Sequence, residues 1–144
     1  LTNFKKLKKL YNDKNIDYEL FDFNEDISNL MSRSNICITR AGASTLAELV
    51  FLNLPYVAIP LPTSKDNHQF ENAFFYNEIA CNWILNQNEI NDDTVVNKLV
   101  NIIENKDEYL VKKKNMKNFS YLNTWNNINQ KIISVINENR ISKN

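Results

Sequence analysis

One glycine, Gly42, occurs in the whole 144-residue chain. It stands inside "ITRAGASTLAEL" (38–49), between a short apolar run and the start of a helical pattern. A chain with so little backbone freedom can make few unusual bends, so the place of that glycine constrains the fold. "ICIT" (36–39) is β-branched and apolar and reads as a buried strand, and the residues from about Ala43 to Asn53 read as a helix. Gly42 is then a strand-to-helix turn, where the missing Cβ admits positive φ and close approach of a ligand to the backbone.

The flanking sequence alternates in the same way. Phe4, Leu7, Leu10 and Tyr11 space a helix over 3–14, and "DYELFDF" (17–23) alternates like a strand. Ile27, Leu30 and Met31 share one face of a short helix. "YVAIPL" (56–61) is a second buried strand closed by Pro60 and Pro62, and 63–67 is a polar loop. Phe70, Ala73, Phe74 and Asn77 space a helix to about Ala80, and "NWILN" (82–86) is a further strand. Asp92 or Asp93 caps a helix carrying Val95, Val96, Leu99, Val100 and Ile103. Helical segments around 107–118 and 124–139 close the chain, as closing helices over 107–140 of one domain, 1–144. Alternation of strand and helix predicts an α/β fold, a Rossmann-like parallel sheet with helices on both faces.

Composition excludes several classes. The 17 basic and 17 acidic residues cancel, without a like-charged tail that would suggest nucleic acid. Lys5, Lys6, Lys8 and Lys9 form a solvated helix face or a contact for anionic lipid. No apolar run approaches the ~18 residues that a membrane-spanning helix needs. Neither a signal peptide nor metal-ligand spacing is visible, so no metal or cofactor is expected, and Cys37 and Cys81 read as reduced, buried thiols of a cytosolic protein. The start at Leu1, directly in a helical pattern, suggests a piece of something longer.

In open parallel sheets, ligands bind beyond the carboxyl ends of the strands. Free N–H groups at the start of the helix after Gly42 favour a phosphate there. Ala41, Ser44, Thr45 and Glu48 fall on one stripe, while Leu46, Leu49, Val50 and Ala47 fall on the other side and can pack on the sheet. An ionised Glu48 accepts hydrogen bonds only, which suits the paired hydroxyls of a ribose. Ser-Thr-x-x-Glu is equally a helix-capping arrangement, and this stretch alone does not choose between the two. After the next strand, "PLPTSKDNHQFENA" (60–73) offers His68, Gln69 and Asn72, polar groups suited to sugar hydroxyls. No nucleophile is paired with His68, so it reads as a binding or packing residue.

"RAGASTLAEL", "LPYVAIPLP" and "DNHQFENA", at their mutual spacing, resemble the C-terminal domain of the MurG family of GT-B glycosyltransferases; the similarity runs from about Tyr18 to Gln87. The family moves N-acetylglucosamine (GlcNAc) from UDP-GlcNAc onto lipid I, giving lipid II for peptidoglycan, on the cytoplasmic face of the bacterial inner membrane. The resemblance implies that Gly42, Ala43, Ser44 and Thr45 meet the diphosphate or sugar, Glu48 the ribose, and His68 and Gln69 the GlcNAc hydroxyls with Asn72 nearby. Arg40 fits the pattern too. The uracil would lie near Phe23 and Asn24, where Asn24 replaces the family's aliphatic residue. Asn53 replaces a glycine and tolerates the left-handed backbone needed after a helix.

The family's first strand with its phosphate loop, and its N-terminal acceptor domain, have no counterpart here. The resemblance thus implies a sheet lacking its first strand, inversion without an obligatory metal, lipid I and membrane contacts made through the missing domain, and no turnover by this chain alone. Two other readings are a subunit of a split UDP-GlcNAc transferase and a non-catalytic nucleotide-sugar-binding module.

Overall fold

A computed structural model of the chain describes residues 2–90, 94–122 and 125–141. The elements run α1 (Thr2–Asp13), α2 (Ile27–Ser32), β1 (Cys37–Thr39), α3 (Ala43–Phe51), β2 (Tyr56–Ala58), α4 (His68–Glu78), β3 (Asn82–Ile84), α5 (Thr94–Glu104), α6 (Lys106–Leu122) and α7 (Trp125–Ile141). Single 3-10 turns lie at Lys65–Asn67 and Gln87–Glu89. The expected caps Asp92 and Asp93 lie outside the described residues.

Contacts divide the chain into two compact units, Leu1–Leu30 and Met31–Asn144. In the first, α1 ends in a left-handed residue, Asn15 (φ 51°), and the Ile16 N–H closes back on the Tyr11 carbonyl at 2.9 Å. The Tyr18 hydroxyl donates to Asn12 Oδ1 at 2.9 Å. Residues 17–23 do not form the expected strand. Alternation sets which way side chains point, but a strand exists only where its backbone groups pair, and among the described residues the sheet contains β1, β2 and β3 alone.

The second unit is the α/β layer. Its three strands are parallel in the order β1-β2-β3, with Cys37 opposite Tyr56 and Tyr56 opposite Asn82. Strand periodicity separates two cores. Tyr56 and Ala58 face one way with Leu46, Leu49 and Val50 of α3, Ala73 of α4, Cys81 and Met116 of α6. Val57, Trp83 and Leu85 face the other way with Ile102 of α5. Burying Leu46 and Leu49 completely contributes about 1.5–3 kcal/mol each. Ala47, expected on the packed side, is exposed, and Ala41 is fully buried. The reason is register: α3 starts after Ala41, which therefore follows the strand and not the helix stripe.

β2 and β3 end earlier than the apolar runs suggest, at Ala58 and Ile84. One further ladder bond, from the Ile59 N–H to the Thr39 carbonyl at 2.8 Å, precedes Pro60, which has no N–H to continue. Cys81 is fully buried and Cys37 half-buried. Burial pushes the Cys81 thiol up to about 11 against the opposing pull of the Lys112 cation, and it also pushes Cys37 up.

Two helices of this unit end alike. After α3, the Leu54 N–H bonds to the Leu49 carbonyl and the Asn53 N–H to that of Val50, around a left-handed Asn53 (φ 56°). After α4, Cys81 bonds back to Tyr76 and Ala80 to Asn77, around Ala80 (φ 51°). These are the paired bonds of a Schellman ending, in which glycine is the usual left-handed residue. Asparagine adopts this backbone more readily than alanine. Ala80→Gly is therefore expected to raise stability by about 0.5–1 kcal/mol in urea unfolding; a loss of stability would contradict the strain ascribed to Ala80.

Candidate functional site

Because β1, β2 and β3 are parallel, the segments 40–45, 59–61 and 85–87 all leave the sheet at the same end. The sequence-derived site residues of the second unit gather there.

Gly42 is the N-cap of α3 and has φ −71° and ψ 132°, an extended backbone open to any residue. The expectation of positive φ is thus corrected. A Cβ added at Gly42 would meet only Thr45 Oγ1, at 3.8 Å, an ordinary contact. The bend is made by chain reversal into the helix, without left-handed backbone. Nothing in the fold itself demands glycine here; what remains is the open approach that a bare backbone offers.

The N-cap position also decides the capping question. A capping box needs Ser or Thr at the N-cap and Glu three residues on. Here the N-cap is glycine and no side chain caps the helix. Ser44 is the second helical residue and Glu48 lies a turn deeper, half-buried. The N–H groups of Ala43, Ser44 and Thr45 are the donors that an α-helix leaves without an intrahelical acceptor. Ala43 and Ser44 are exposed.

The second motif is tied to this turn. Asn72 of α4 donates from Nδ2 to the Ala41 carbonyl at 3.1 Å, so one side chain fixes the peptide that precedes Gly42. Gln69 accepts at Oε1 from the Leu61 N–H at 3.0 Å. The partner is a donor, so the Gln69 oxygen faces it, and the amide NH2 is the group left for a ligand. His68, exposed at the first position of α4, lies with Nδ1 2.6 Å from the Lys65 carbonyl. A carbonyl only accepts, so Nδ1 carries the hydrogen and Nε2 is the acceptor of the neutral ring. The loop before α4 turns on two successive left-handed residues, Asp66 (φ 50°) and Asn67 (φ 55°). Both side chains are short and polar, the type that tolerates this backbone.

Arg40 sends Nη1 to the Ile59 carbonyl at 3.2 Å and to Gln87 Oε1 at 2.7 Å. Gln87 carried no signal in the sequence. It is separated from Arg40 by 47 positions and lies in no motif, so only the fold reveals the pairing. Phe23 and Asn24 belong to the first unit. Phe23 is 80% exposed, and Asn24 Oδ1 accepts from the Asp26 N–H at 2.8 Å.

Against this geometry stand the known proteins. The glycosyltransferase family 28 C-terminal domain matches residues 2–130. The chain belongs to that family. A UDP-N-acetylglucosamine--N-acetylmuramyl-(pentapeptide) pyrophosphoryl-undecaprenol N-acetylglucosamine transferase of Pelagibacter ubique is 69% identical over 137 residues, 95% of this chain and 38% of that protein. The transferase of the same description from Rickettsia bellii is 38% identical over 100 residues, 69% of this chain and 28% of its own length. The crystal structure of Acinetobacter baumannii MurG superposes with a TM-score of 0.68 at 28% identity, covering 78% of this chain and 33% of that one. The chain thus spans about two fifths or less of these relatives. Its parallel sheet flanked by helices is the C-terminal GT-B architecture of the family 28 domain.

Because the fold leaves room at Gly42, Gly42→Ala is expected to leave the unfolding free energy within about 1 kcal/mol of the parent, the less flexible unfolded chain favouring alanine and the N-cap position favouring glycine. Thermal unfolding checks this; a loss well beyond that, about 2 kcal/mol or more, would show that the turn itself requires glycine.

Proposed function

We propose that this family 28 domain is the donor-binding part of an inverting glycosyltransferase that moves GlcNAc from UDP-GlcNAc to lipid I. The observation that carries the reading is the junction of the two motifs: Asn72 holds the Ala41 peptide, so the uncapped start of α3 and the His68–Gln69 pair open onto the same end of the sheet. The names of the relatives supply the donor sugar and the lipid-linked acceptor.

In this reading the diphosphate lies at the amides of Ala43, Ser44 and Thr45. A helix start carries partial positive charge, and its donors need no rearrangement as charge grows on the leaving UDP. Glu48 takes the ribose hydroxyls. Gln69 offers its NH2 and His68 its Nε2 to the GlcNAc hydroxyls, one donor and one acceptor. The base that deprotonates the acceptor, and the contacts to lipid I, come from outside these residues. Among the described residues no helix is long and apolar enough to cross a membrane. The proposed place of action is the cytoplasmic face of the inner membrane, with peripheral attachment.

Calorimetry of the full-length protein with UDP-GlcNAc, UDP-glucose and UDP tests the assignment. Glu48→Ala is expected to weaken all three by about tenfold or more, the loss of a charge-assisted hydrogen bond. Gln69→Glu keeps an oxygen for the Leu61 N–H and replaces the outward donor by an acceptor. It is expected to remove the preference for GlcNAc while sparing UDP. Unchanged affinities for all three ligands in both variants would overturn the proposal.

A further inference from the structure

Arg40 is exposed, yet its guanidinium touches the exits of all three strands. It follows β1, donates to the Ile59 carbonyl after β2, and donates to Gln87 after β3. Both acceptors are neutral. The acid on the same 3-10 turn, Glu89, is already held by Lys98 at 2.6 Å and by Asn86 Nδ2 at 3.0 Å, contacts that pull its carboxyl below the usual range. The turn 87–89 is thus gripped from two sides, by Lys98 of α5 through Glu89 and by Arg40 through Gln87. The Lys98–Glu89 pair is largely solvated, a weak kind of contact.

The tie continues toward the proposed sugar site. Ile59 is followed by Pro60, whose ring fixes φ, and then by Leu61, whose N–H holds Gln69 Oε1. A shift of the Ile59 carbonyl therefore moves, through one stiff residue, the amide that orients Gln69. We infer that Arg40 and Gln87 are positioning residues of the donor site: their hydrogen bond fixes the 59–61 strand exit and, through the Leu61 N–H, the outward NH2 of Gln69.

This rests on the function proposed above and makes a separate prediction. In the full-length protein, Arg40→Met and Gln87→Leu should each raise KM for UDP-GlcNAc by about three- to tenfold. kcat, inhibition by UDP and the unfolding midpoint should change little, because neither residue is in the core or on the diphosphate. The double variant should cost no more than Arg40→Met alone, because Gln87 acts only through Arg40. Gln87→Glu, which keeps an acceptor for Arg40, should restore KM. Weakened UDP inhibition in Arg40→Met with Gln87→Leu unaffected would show Arg40 acting on the diphosphate directly and would overturn the inference. So would additive effects. If the wild-type protein does not turn over UDP-GlcNAc, the functional reading fails, and the tie is read by NMR from the side-chain NH2 of Gln69. That signal shifts alike in Arg40→Met and Gln87→Leu if the coupling exists and stays in place in both if it does not.

Discussion

The parallel register of β1, β2 and β3 is the constraint on which the rest depends. Parallel pairing sends every strand exit to one end of the sheet, and every crossover must return on a face. Here the exits carry Arg40 and Gly42, Ile59 and Leu61, and Gln87, and the next elements begin within a few residues. The starts of α3 and α4 therefore face a common space without any residue being placed there individually. Leu46 and Leu49 on one face and Val57 and Trp83 on the other keep that register by burial. Slipping one strand by a residue would turn these side chains to the opposite faces.

On this scaffold, a small set of polar side chains bonds to backbone and to one another. Asn72 holds the Ala41 carbonyl, Gln69 the Leu61 N–H, and Arg40 the Ile59 carbonyl together with Gln87. Each leaves part of its hydrogen-bonding capacity for a ligand or a neighbour. The fixed Oε1 of Gln69 makes it a donor outward, and the fixed Nδ1 of His68 makes the ring an acceptor outward. Which hydrogen-bonding groups these side chains present outward is thus set by internal contacts. Net stability gain from each such bond is modest, about 1 kcal/mol, so their main effect is orientation.

Much of this was legible in the sequence. The three strands of the sheet are β-branched or apolar runs bounded by turns, and burial favours such runs in parallel sheets. The left-handed Asn53 was legible from its place after a helix. The lack of a strand at 17–23 was not, because alternation carries no information about a pairing partner. The overlong β2 had the same cause: Ile59 and Leu61 are apolar, but Pro60 interrupts the ladder between them. The strand-to-helix turn at Gly42 was legible, but its backbone conformation was not, since it is extended and not left-handed. The Arg40–Gln87 contact joins residues 47 positions apart with no shared periodicity, and no local pattern could have announced it.

The central claim is that the uncapped start of α3 receives the diphosphate of a nucleotide sugar. Titration of 15N-labelled full-length protein with UDP, and separately with uridine, addresses it most directly. The account predicts that the backbone amides of Ala43, Ser44 and Thr45 shift strongly with UDP and hardly at all with uridine, because only UDP carries phosphate. Equal shifts with both ligands, or UDP shifts confined to residues away from the 41–45 turn, would contradict it.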